Sequence, residues 1–372
     1  MASVSKNVQT KKWEFVFDYY DKKLRKRRQV KRRGFDSRRE ANDKMIELQS
    51  EVQTSQYVGT KHTTLNEFTE YWLDNIRKME VGQTTFYNNQ LYFKNHIKET
   101  FGKEKLQRID LESCQQFVKE LVDKGLARNS IDRICTMLKR IFDKAIEYEI
   151  ININYMRKVT LPKQTKNKLN IWTLEQTNEF LNKTKEKRYH CVYALALLAG
   201  LRQGEILGLR WQDVDFVNKK ISIIQTLKFH GTELSLGAKT TAGTRRISIP
   251  NQLVEILEEQ KKRYEILRIE LGDNFVDLDL VIFNLANGKT VFPGNLVKSY
   301  TRDVKQAKLP HIRFHDLRHS HATLLLSKGI NIKVISSRLG HSKTAVTLDT
   351  YSHVLPSMEQ EVTDTLEEII TL

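Results

Sequence analysis

Apolar residues recur at helical spacing between residues 61 and 155. Four stretches carry an apolar side chain at about every third or fourth position: residues 65–76, 86–97, 114–121 and 131–146. This spacing places the apolar side chains of each stretch on one face of a helix. Four short helices within about 95 residues predict a compact helical bundle.

The N-terminal residues have a different pattern. Residues 13–20 alternate weakly and are rich in aromatic side chains, which is typical of a strand. Gly34 and Phe35 are predicted to form a turn, and Ser37 with Glu40 has the form of a capping box. That box opens a predicted helix from Arg38 to about Gln53. The pattern therefore predicts a small module of two or three short strands and one helix.

Residues 171–372 mix the two periodicities. The predicted helices are 173–182, which begins with a capping-box pair, the apolar 189–200, and 253–271. Residues 220–227 and 245–249 are predicted to be strands on either side of a glycine-containing turn region. The remainder is predicted to be helical with loops. The whole chain is therefore expected to be a mainly α, multidomain protein with an α+β third unit.

Two segments do not fit the patterns of the three predicted units. Residues 157–170 contain five basic residues, a proline and no apolar periodicity, which predicts a linker. Residues 359–372 contain five acidic residues and no basic one, with an apolar stripe at helical spacing. This tail is expected to dock on protein, either on its own domain or on a neighbouring subunit. The predicted organisation is a module at 1–60, a helical domain at 61–156, a linker at 157–170, a third domain at 171–358 and a tail at 359–372.

The composition narrows the class of partner. The 372 residues include 62 Lys and Arg against 45 Asp and Glu, a net charge of +17, and the first 170 residues carry +13 of it. Such a charge favours a polyanion, nucleic acid before an anionic membrane surface. The longest apolar run, residues 192–200, is too short to span a bilayer, and the N-terminus lacks the apolar core of a signal peptide. Three scattered cysteines fit a reducing compartment.

The basic residues suggest where a polyanion would bind. Nine of the twelve residues from 22 to 33 are basic, a run that is either a solvated arm or part of an ordered module. Its flanking strand and helix patterns favour order. The helical domain at 61–156 adds basic residues between its apolar stripes. The predicted DNA contacts are Lys22, Lys23, Arg25, Lys26, Arg27, Arg28, Lys31, Arg32, Arg33, Arg128, Arg133, Lys139 and Arg140.

Arg202 is the first residue that suggests chemistry. It follows an apolar helix and lies between Gly200 and Gly204, so a tight turn would fix its guanidinium group. Glu205, three residues later, is placed to orient it. A purely structural Arg–Glu pair at a helix junction is the alternative interpretation.

His315 and Arg318 are three residues apart and would share a helix face. His319 and His321 follow closely, so a metal site has to be considered. The spacing is not that of a zinc-binding H-E-x-x-H motif, no cysteine lies near, and the neighbouring arginines would repel a cation. No metal or other cofactor is therefore expected.

A third segment contains His341 after a predicted helix end at Gly340, and Tyr351 ten residues later. Lys239 lies in a predicted turn between two strands. Together with Arg202 and Arg318, these residue types suit attack on a phosphodiester. Guanidinium groups neutralise the non-bridging oxygens, a tyrosine attacks, and a lysine protonates the leaving oxygen.

These residues make the chain resemble the tyrosine recombinases, specifically the integrases of phages and integrative elements. The resemblance spans the chain and rests on the motifs LAGLRQGEILGLRW, HDLRHSHAT and LGHS, the turn lysine and the terminal tyrosine. It implies that Arg202 and Arg318 clamp the scissile phosphate. It also implies that His315 assists proton transfer and that His341 hydrogen-bonds the phosphate.

By the same resemblance, Tyr351 is the nucleophile and Lys239 the general acid, with Lys228 as the alternative lysine. The implied reaction forms a 3′-phosphotyrosyl bond, passes through a Holliday junction and needs neither metal nor ATP. The implied assembly is a homotetramer on core and arm attachment sites of double-stranded DNA. A cytoplasmic, nucleoid-associated location in a bacterial-type host follows, without a membrane partner.

Several matters stay open at the level of sequence. An excisionase and a host DNA-bending protein are partners that the sequence neither requires nor excludes. Two other functions share some of these features. A type IB topoisomerase uses the same nucleophile, and a DNA-binding regulator would keep the fold without catalysis.

Overall fold

The computed structural model describes residues 2–21, 26–53, 63–163, 170–228, 231–237 and 244–340, together with residues 344 and 348. The chain divides into two compact units, Met1–Thr165 and Lys166–Leu372. Within the described residues, no helix is both long enough and apolar enough to cross a membrane.

The N-terminal module is a three-stranded antiparallel sheet in the order β1 (Ala2–Lys6), β2 (Trp13–Asp21), β3 (Lys26–Phe35). Helix α1 (Arg38–Gln53) lies against one face of the sheet. Its start matches the predicted capping geometry, because the Ser37 hydroxyl accepts a hydrogen bond from the backbone N–H of Glu40.

The predicted turn at Gly34 and Phe35 is wrong. Strand β3 continues through Gly34, whose φ is +101°, to Phe35, which pairs with Trp13 across the sheet. Glycine accommodates this positive φ without steric cost, so the strand is irregular there but does not end. The chain turns only at residues 36–37.

The helical domain forms the expected bundle. Two of its predicted helices each contain one π-helical turn. The first joins α2 (Leu65–Trp72) through Leu73–Arg77 to α3 (Lys78–Glu80), and the second joins α4 (Gln83–Tyr92) through Phe93–Ile97 to α5 (Lys98–Phe101). Helices α6 (Leu111–Asp123) and α7 (Arg128–Glu147) complete the bundle.

The apolar stripes of these helices form one core. Leu65, Phe117, Ile134 and Ile141 are among its fully buried side chains. Thr64 caps α2 with a complete capping box to Glu67, so the helix start is fixed by side chains as well as by packing.

Residues 158–162, within the segment predicted as a linker, pack against this bundle. The backbone N–H and carbonyl of Thr160 are both hydrogen-bonded to the side-chain amide of Gln115. The carbonyl of Pro162 accepts a hydrogen bond of 2.6 Å from Arg128 Nε. Val159 and Leu161 are partly buried against the core. The chain therefore leaves the bundle later than its composition suggests.

The second unit combines seven helices with five short strands among the described residues. Its helices are α8 (Leu174–Lys183), α9 (His190–Leu198), α10 (Gln203–Leu207), α11 (Asn251–Leu271), α12 (Pro293–Ala307), α13 (Asp316–Leu326) and α14 (Ile332–Leu339). Its strands are β4 (Val214–Asp215), β5 (Lys220–Ile223), β6 (Gln225–Lys228), β7 (Glu233–Leu236) and β8 (Arg245–Ser248). Single 3₁₀ turns lie at Trp211–Asp213 and Gly272–Asn274 in this unit, and at Leu106–Arg108 and Tyr155–Arg157 in the first unit.

The sheets correct one prediction in this unit. Residues 220–227 are not one strand: β5 pairs with β4 and β8, whereas β6 pairs only with β7. Ile224 separates the two strands, which belong to different sheets. The alternation of apolar residues continues across this break, so the pattern alone predicts one strand. The predicted fold class is nevertheless confirmed: a small N-terminal sheet with a helix, a helical domain and a mixed α+β domain.

Helix α9 is the centre of the second unit. Seven of its nine residues, from Cys191 to Leu197, are almost fully buried, and it packs against α10, α11 and α13. A helix that is apolar on all faces has to be enclosed by the rest of its domain. Its C-terminal end is consequently fixed, and the candidate site begins there.

Candidate active site

The end of α9 determines the position of Arg202. Gly200, with φ +69°, ends the helix, and two residues later Arg202 becomes the N-cap of α10. Glu205 holds it in two ways: Oε2 accepts the backbone N–H of Arg202 at 2.9 Å, and Oε1 accepts Nη1 at 2.7 Å. The other terminal nitrogen, Nη2, donates to the carbonyl of Gly340 at 3.0 Å. The predicted Arg–Glu pair is therefore present, and it reaches the end of α14.

Arg318 reaches the same place from α13. Its side chain is only 2% exposed, and a buried guanidinium has to be hydrogen-bonded to be stable. Nη1 donates to the carbonyl of Gly200 and Nη2 to the carbonyl of Leu339, both at 2.6 Å. Glu205 Oε2 lies 3.9 Å from Nη1. Two arginines that are 116 positions apart in the sequence thus converge on adjacent peptide groups.

The C-terminal end of α14 organises this cluster. Three successive carbonyls each accept a hydrogen bond from a different arginine: that of Arg338 from Arg245, that of Leu339 from Arg318, and that of Gly340 from Arg202. The last carbonyls of a helix lack partners within the helix and carry partial negative charge. They therefore suit guanidinium groups, and Gly340 ends the helix with a φ of +65°.

Glu205 is the carboxylate among these cations. Burial would raise its pKa, but hydrogen bonds and charge from Arg245, together with those of Arg202, outweigh burial and lower the pKa to about 2. Arg245 donates to both of its oxygens, at 3.0 and 2.9 Å. Glu205 is thus ionised throughout the physiological range. Glu205 was predictable from the sequence as the partner of Arg202. Arg245, which lies at the start of β8, was not.

His315 is the N-cap residue of α13, and its ring meets that of His319 edge to face, with centroids 5.0 Å apart. Burial, and next the charge of Arg318, lower the pKa of His315 below its ordinary value. Burial and the neighbouring His315 lower the pKa of His319 to about 4. Both rings are therefore neutral at neutral pH, which leaves His315 able to accept a proton.

His321, which is buried, and Arg338, which is partly buried, are in contact next to the cluster of Arg202, Arg245 and Arg318. His321 Nδ1 lies 2.7 Å from the carbonyl of Leu197, and its Nε2 lies 3.2 Å from Arg338 Nε. Arg338 also donates to the carbonyls of Ser248 and Leu198. The sequence pattern suggests for His321 only a metal-ligand role, and it gives no signal that singles out Arg338.

Three predicted site residues, Lys239, His341 and Tyr351, lie outside the described residues. The alternative lysine, Lys228, lies in β6 and donates to the Ser235 hydroxyl at 2.7 Å. Among the residues that the structure describes, no group of three or more His, Cys, Asp or Glu side chains is close enough together to hold a metal ion.

The predicted DNA contacts in the N-terminal module fall into three sets. Lys22, Lys23 and Arg25 lie outside the described residues, and Lys26 is the first residue of β3. Strand alternation then divides the others. Arg28 and Arg32 share the face of Val30, which packs toward α1, whereas Arg27, Lys31 and Arg33 lie on the opposite face.

Glu14 organises the outer face of this sheet. It lies 3.1 Å from both Lys31 Nζ and Arg33 Nε, and the hydrogen bond from Lys31 is the main reason that its pKa is lowered. These exposed pairs add little stability but hold the cationic side chains above the sheet. The outer face therefore presents ordered positive charge.

The bundle contacts differ from one another. Arg133 and Arg140 line a cleft of about 370 Å³ in which Asn88 and Tyr92 also lie. Lys139 is partly exposed on α7. Arg128 instead serves the structure, because it donates to Pro162 and pairs with Asp132 at 3.4 Å.

Family models match three successive parts of this chain. The Phage integrase family matches residues 170–358, its N-terminal SAM-like domain matches 64–122, and an Arm DNA-binding domain matches 3–52. The ICEBs1 integrase of Bacillus subtilis is 32% identical over 292 residues, which are 77% of this chain and 78% of that protein. The integrase of Staphylococcus phage L54a is 27% identical over 340 residues, 84% of this chain and 93% of that protein.

Solved structures share the fold. The Tn1549 transposon integrase in complex with transposon right end DNA has a TM-score of 0.65 at 22% identity, over 80% of this chain and 99% of that one. A lambda integrase tetramer bound to a Holliday junction has a TM-score of 0.61 at 18% identity, over 94% of this chain and 95% of that one.

Proposed function

The chain belongs to the phage integrase family of site-specific recombinases, and we propose that Tyr351 is its nucleophile and that Arg202 and Arg318 clamp the scissile phosphate. The observation that carries this proposal is the convergence of both guanidinium groups on the carbonyls of Leu339 and Gly340. His341 follows Gly340 directly in the sequence.

The proposed reaction starts with the oxygen of Tyr351. It attacks the scissile phosphorus, the bond from phosphorus to the 5′-oxygen breaks, and a 3′-phosphotyrosyl bond forms. The tyrosine proton passes to neutral His315, and Lys239 gives a proton to the leaving 5′-oxygen. Arg202, Arg318 and His341 stabilise the charge on the non-bridging oxygens.

The second half of the reaction reverses the first on the partner duplex. A free 5′-hydroxyl attacks the phosphotyrosyl phosphorus and releases Tyr351, so a Holliday junction forms and a second round resolves it. One phosphate ester replaces another at each step, so no bond energy has to be supplied. We therefore propose that the enzyme uses neither ATP nor a metal ion, since arginines provide the charge that stabilises the transition state.

The assembly proposed from this chemistry is a homotetramer on two core sites, because each of the two strand exchanges cuts one strand in each duplex and the four cleavages need four active sites. The lambda integrase structure that shares this fold is a tetramer bound to a Holliday junction. The module at 1–60 would bind arm sites and the domain at 61–156 core sites, with 157–170 as the linker. The tail at 359–372 would dock on a neighbouring subunit, and excisionase or DNA-bending helpers would act on the arm sites. The cytoplasm, where bacterial DNA lies, is the proposed location.

A nicked suicide duplex tests the nucleophile. The DNA that adjoins the gene supplies the attachment sequence, and a nick near the crossover lets the short 5′ fragment diffuse away, which traps the adduct. Wild-type protein should form a covalent adduct, whereas Y351F should bind the duplex equally but form none. Tight binding without any adduct would favour a DNA-binding regulator. Relaxation of plasmids without an attachment site at full rate would favour a topoisomerase.

A further inference from the structure

His321 and Arg338 touch each other, and neither belongs to the proposed catalytic set. Arg338 directs its donors to three elements: Nε to the His321 ring of α13, Nη2 to the carbonyl of Leu198 at the end of α9, and Nη1 to the carbonyl of Ser248 in β8. A guanidinium with this many fixed partners acts as a brace. It holds the last turn of α14 against the rest of the domain.

The hydrogen bonds determine the state of the His321 ring. The carbonyl of Leu197 can only accept, so Nδ1, at 2.7 Å, has to carry the proton. The guanidinium of Arg338 can only donate, so Nε2 has to be unprotonated. One neutral tautomer satisfies both partners. Burial and the charge of Arg338 favour the same state, because they lower the pKa of His321 to about 4.

The braced turn is the one that the proposed clamp uses. The carbonyls of Leu339 and Gly340, directly after Arg338, accept the hydrogen bonds of Arg318 and Arg202. A shift of this turn would move both acceptors and so both guanidinium groups. Misplacement by about 1 Å of a group that stabilises a transition state costs roughly 100-fold in rate.

We propose that His321 and Arg338 are positioning residues that hold the C-terminal end of α14, and through its carbonyls the guanidinium groups of Arg202 and Arg318, in the arrangement that receives the phosphate. This inference rests on the proposed function of the two arginines. It assigns to His321 a role as hydrogen-bond acceptor for Arg338, which no other side chain on the described part of α13 provides.

Two substitutions at position 321 separate the roles of the ring nitrogens. In H321N the amide nitrogen replaces Nδ1 and keeps the bond to Leu197, but the acceptor for Arg338 is lost. In H321Q the amide oxygen reaches the place of Nε2 and keeps that acceptor. H190N is the matched control, because His190 is similarly buried in the same unit and its Nδ1 lies 3.3 Å from the Thr184 hydroxyl.

The measurement is the single-turnover rate of adduct formation on the nicked duplex, with DNA affinity and melting temperature recorded in parallel. H321N and R338M should lose about 10- to 100-fold in rate with DNA affinity within about twofold of wild type. H321Q and H190N should stay within about threefold of wild type. The double variant H321N/R338M should be no slower than R338M alone, because the two residues act as one unit.

A second substrate distinguishes positioning from a general loss of structure. A methylphosphonate at the scissile position lacks the charge that the clamp neutralises, so the strand-cleavage defect of R338M should shrink by about fivefold or more there. Equal rates for H321N and H321Q, or the same R338M defect on both substrates, would overturn the inference. Absence of any adduct with wild-type protein would instead overturn the proposed function, and this inference with it.

Discussion

Four arginines lie at the site with one carboxylate, and each of the four donates to at least one peptide carbonyl. Arg202, Arg245, Arg318 and Arg338 all donate to backbone oxygens at the ends of α9 and α14 or in β8, while Glu205 accepts from the first two. Helix C-termini stabilise cations without introducing further acidic groups. The site can therefore concentrate positive charge and still leave it available to a phosphate.

The first prediction concerns Glu205. In E205Q the side chain keeps its shape but loses its charge, so Arg202, Arg245 and Arg318 face one another without a counter-ion. Removing one member of a buried ion pair costs about 3 kcal/mol, and we expect the free energy of unfolding to fall by about that amount. Urea denaturation with and without the substitution measures it.

The matched control for this prediction is D213N. Asp213 is as buried as Glu205 and binds Arg210 through two hydrogen bonds, but it lies away from the arginine cluster. Both variants should lose stability, and only E205Q should also lose adduct formation. An E205Q protein that forms adduct at the wild-type rate would show that Glu205 has no part in positioning the clamp.

Sequence patterns are enough to select residues whose proposed roles depend on side-chain chemistry. Arg202, His315 and Arg318 were recognisable because their spacing and residue types form a known constellation. Arg245 and Arg338 were not, because their partners are mainly carbonyls of residues distant in the chain. Every residue has a backbone carbonyl, so the sequence does not show which carbonyls bind an arginine. Only the folded structure shows these hydrogen bonds.

Helices and strands were predictable from the sequence where a single local signal, such as a capping box or an apolar stripe, determines them. The helix at 38–53 follows from its capping box, and α7 follows from its long apolar stripe. The strand prediction at 220–227 was wrong because alternation specifies a half-buried strand but not its partner. Hydrogen bonds to β8 and β7 decide the division, and these partners are distant in sequence.

The junction after α9 carries the second prediction. Gly200 has a positive φ, and a Cβ added there would lie 2.6 Å from Cδ2 of His321. G200A therefore incurs backbone strain and a clash with a buried ring that has little room to move. We expect the free energy of unfolding to fall by about 3 kcal/mol, of which backbone strain is about 1 kcal/mol.

Gly329 provides the control for that variant. Its φ of +71° is nearly the same, but an added Cβ would meet nothing within 4 Å. G329A should therefore lose only the backbone part, about 1 kcal/mol. Chemical denaturation of both variants separates strain from crowding. Equal losses of unfolding free energy in the two variants would mean that the His321 ring moves away from the added methyl group without an energetic cost. The junction after α9 would then be less tightly packed than the structure indicates.

Charge is divided unequally along the whole molecule. The first 170 residues carry +13 of the net +17, whereas the arginines of the candidate site are bound to carbonyls and to Glu205. Salt-dependent affinity for DNA should therefore arise mainly from placed surface cations of the first 170 residues. Each phosphate contact that a protein makes adds about 0.9 to the slope of log K against log salt concentration.

The third prediction tests the outer face of the N-terminal sheet. The triple variant R27Q/K31Q/R33Q should bind more weakly to a duplex with the DNA sequence that adjoins the gene. The slope of log K against log salt concentration should fall in magnitude by about 2 to 3. Fluorescence anisotropy at salt concentrations between about 50 and 200 mM measures both quantities.

A matched variant separates placed charge from bulk charge. K262Q/K298Q/K305Q also removes three positive charges, and all three lysines are exposed on helices of the second unit. If only net charge mattered, both triple variants would lower the slope equally. We expect the sheet variant to lower it by at least about twice as much, because its cations lie side by side on one strand and can contact successive phosphates. Equal slopes would assign DNA affinity to the overall charge and remove the sheet face from the binding surface.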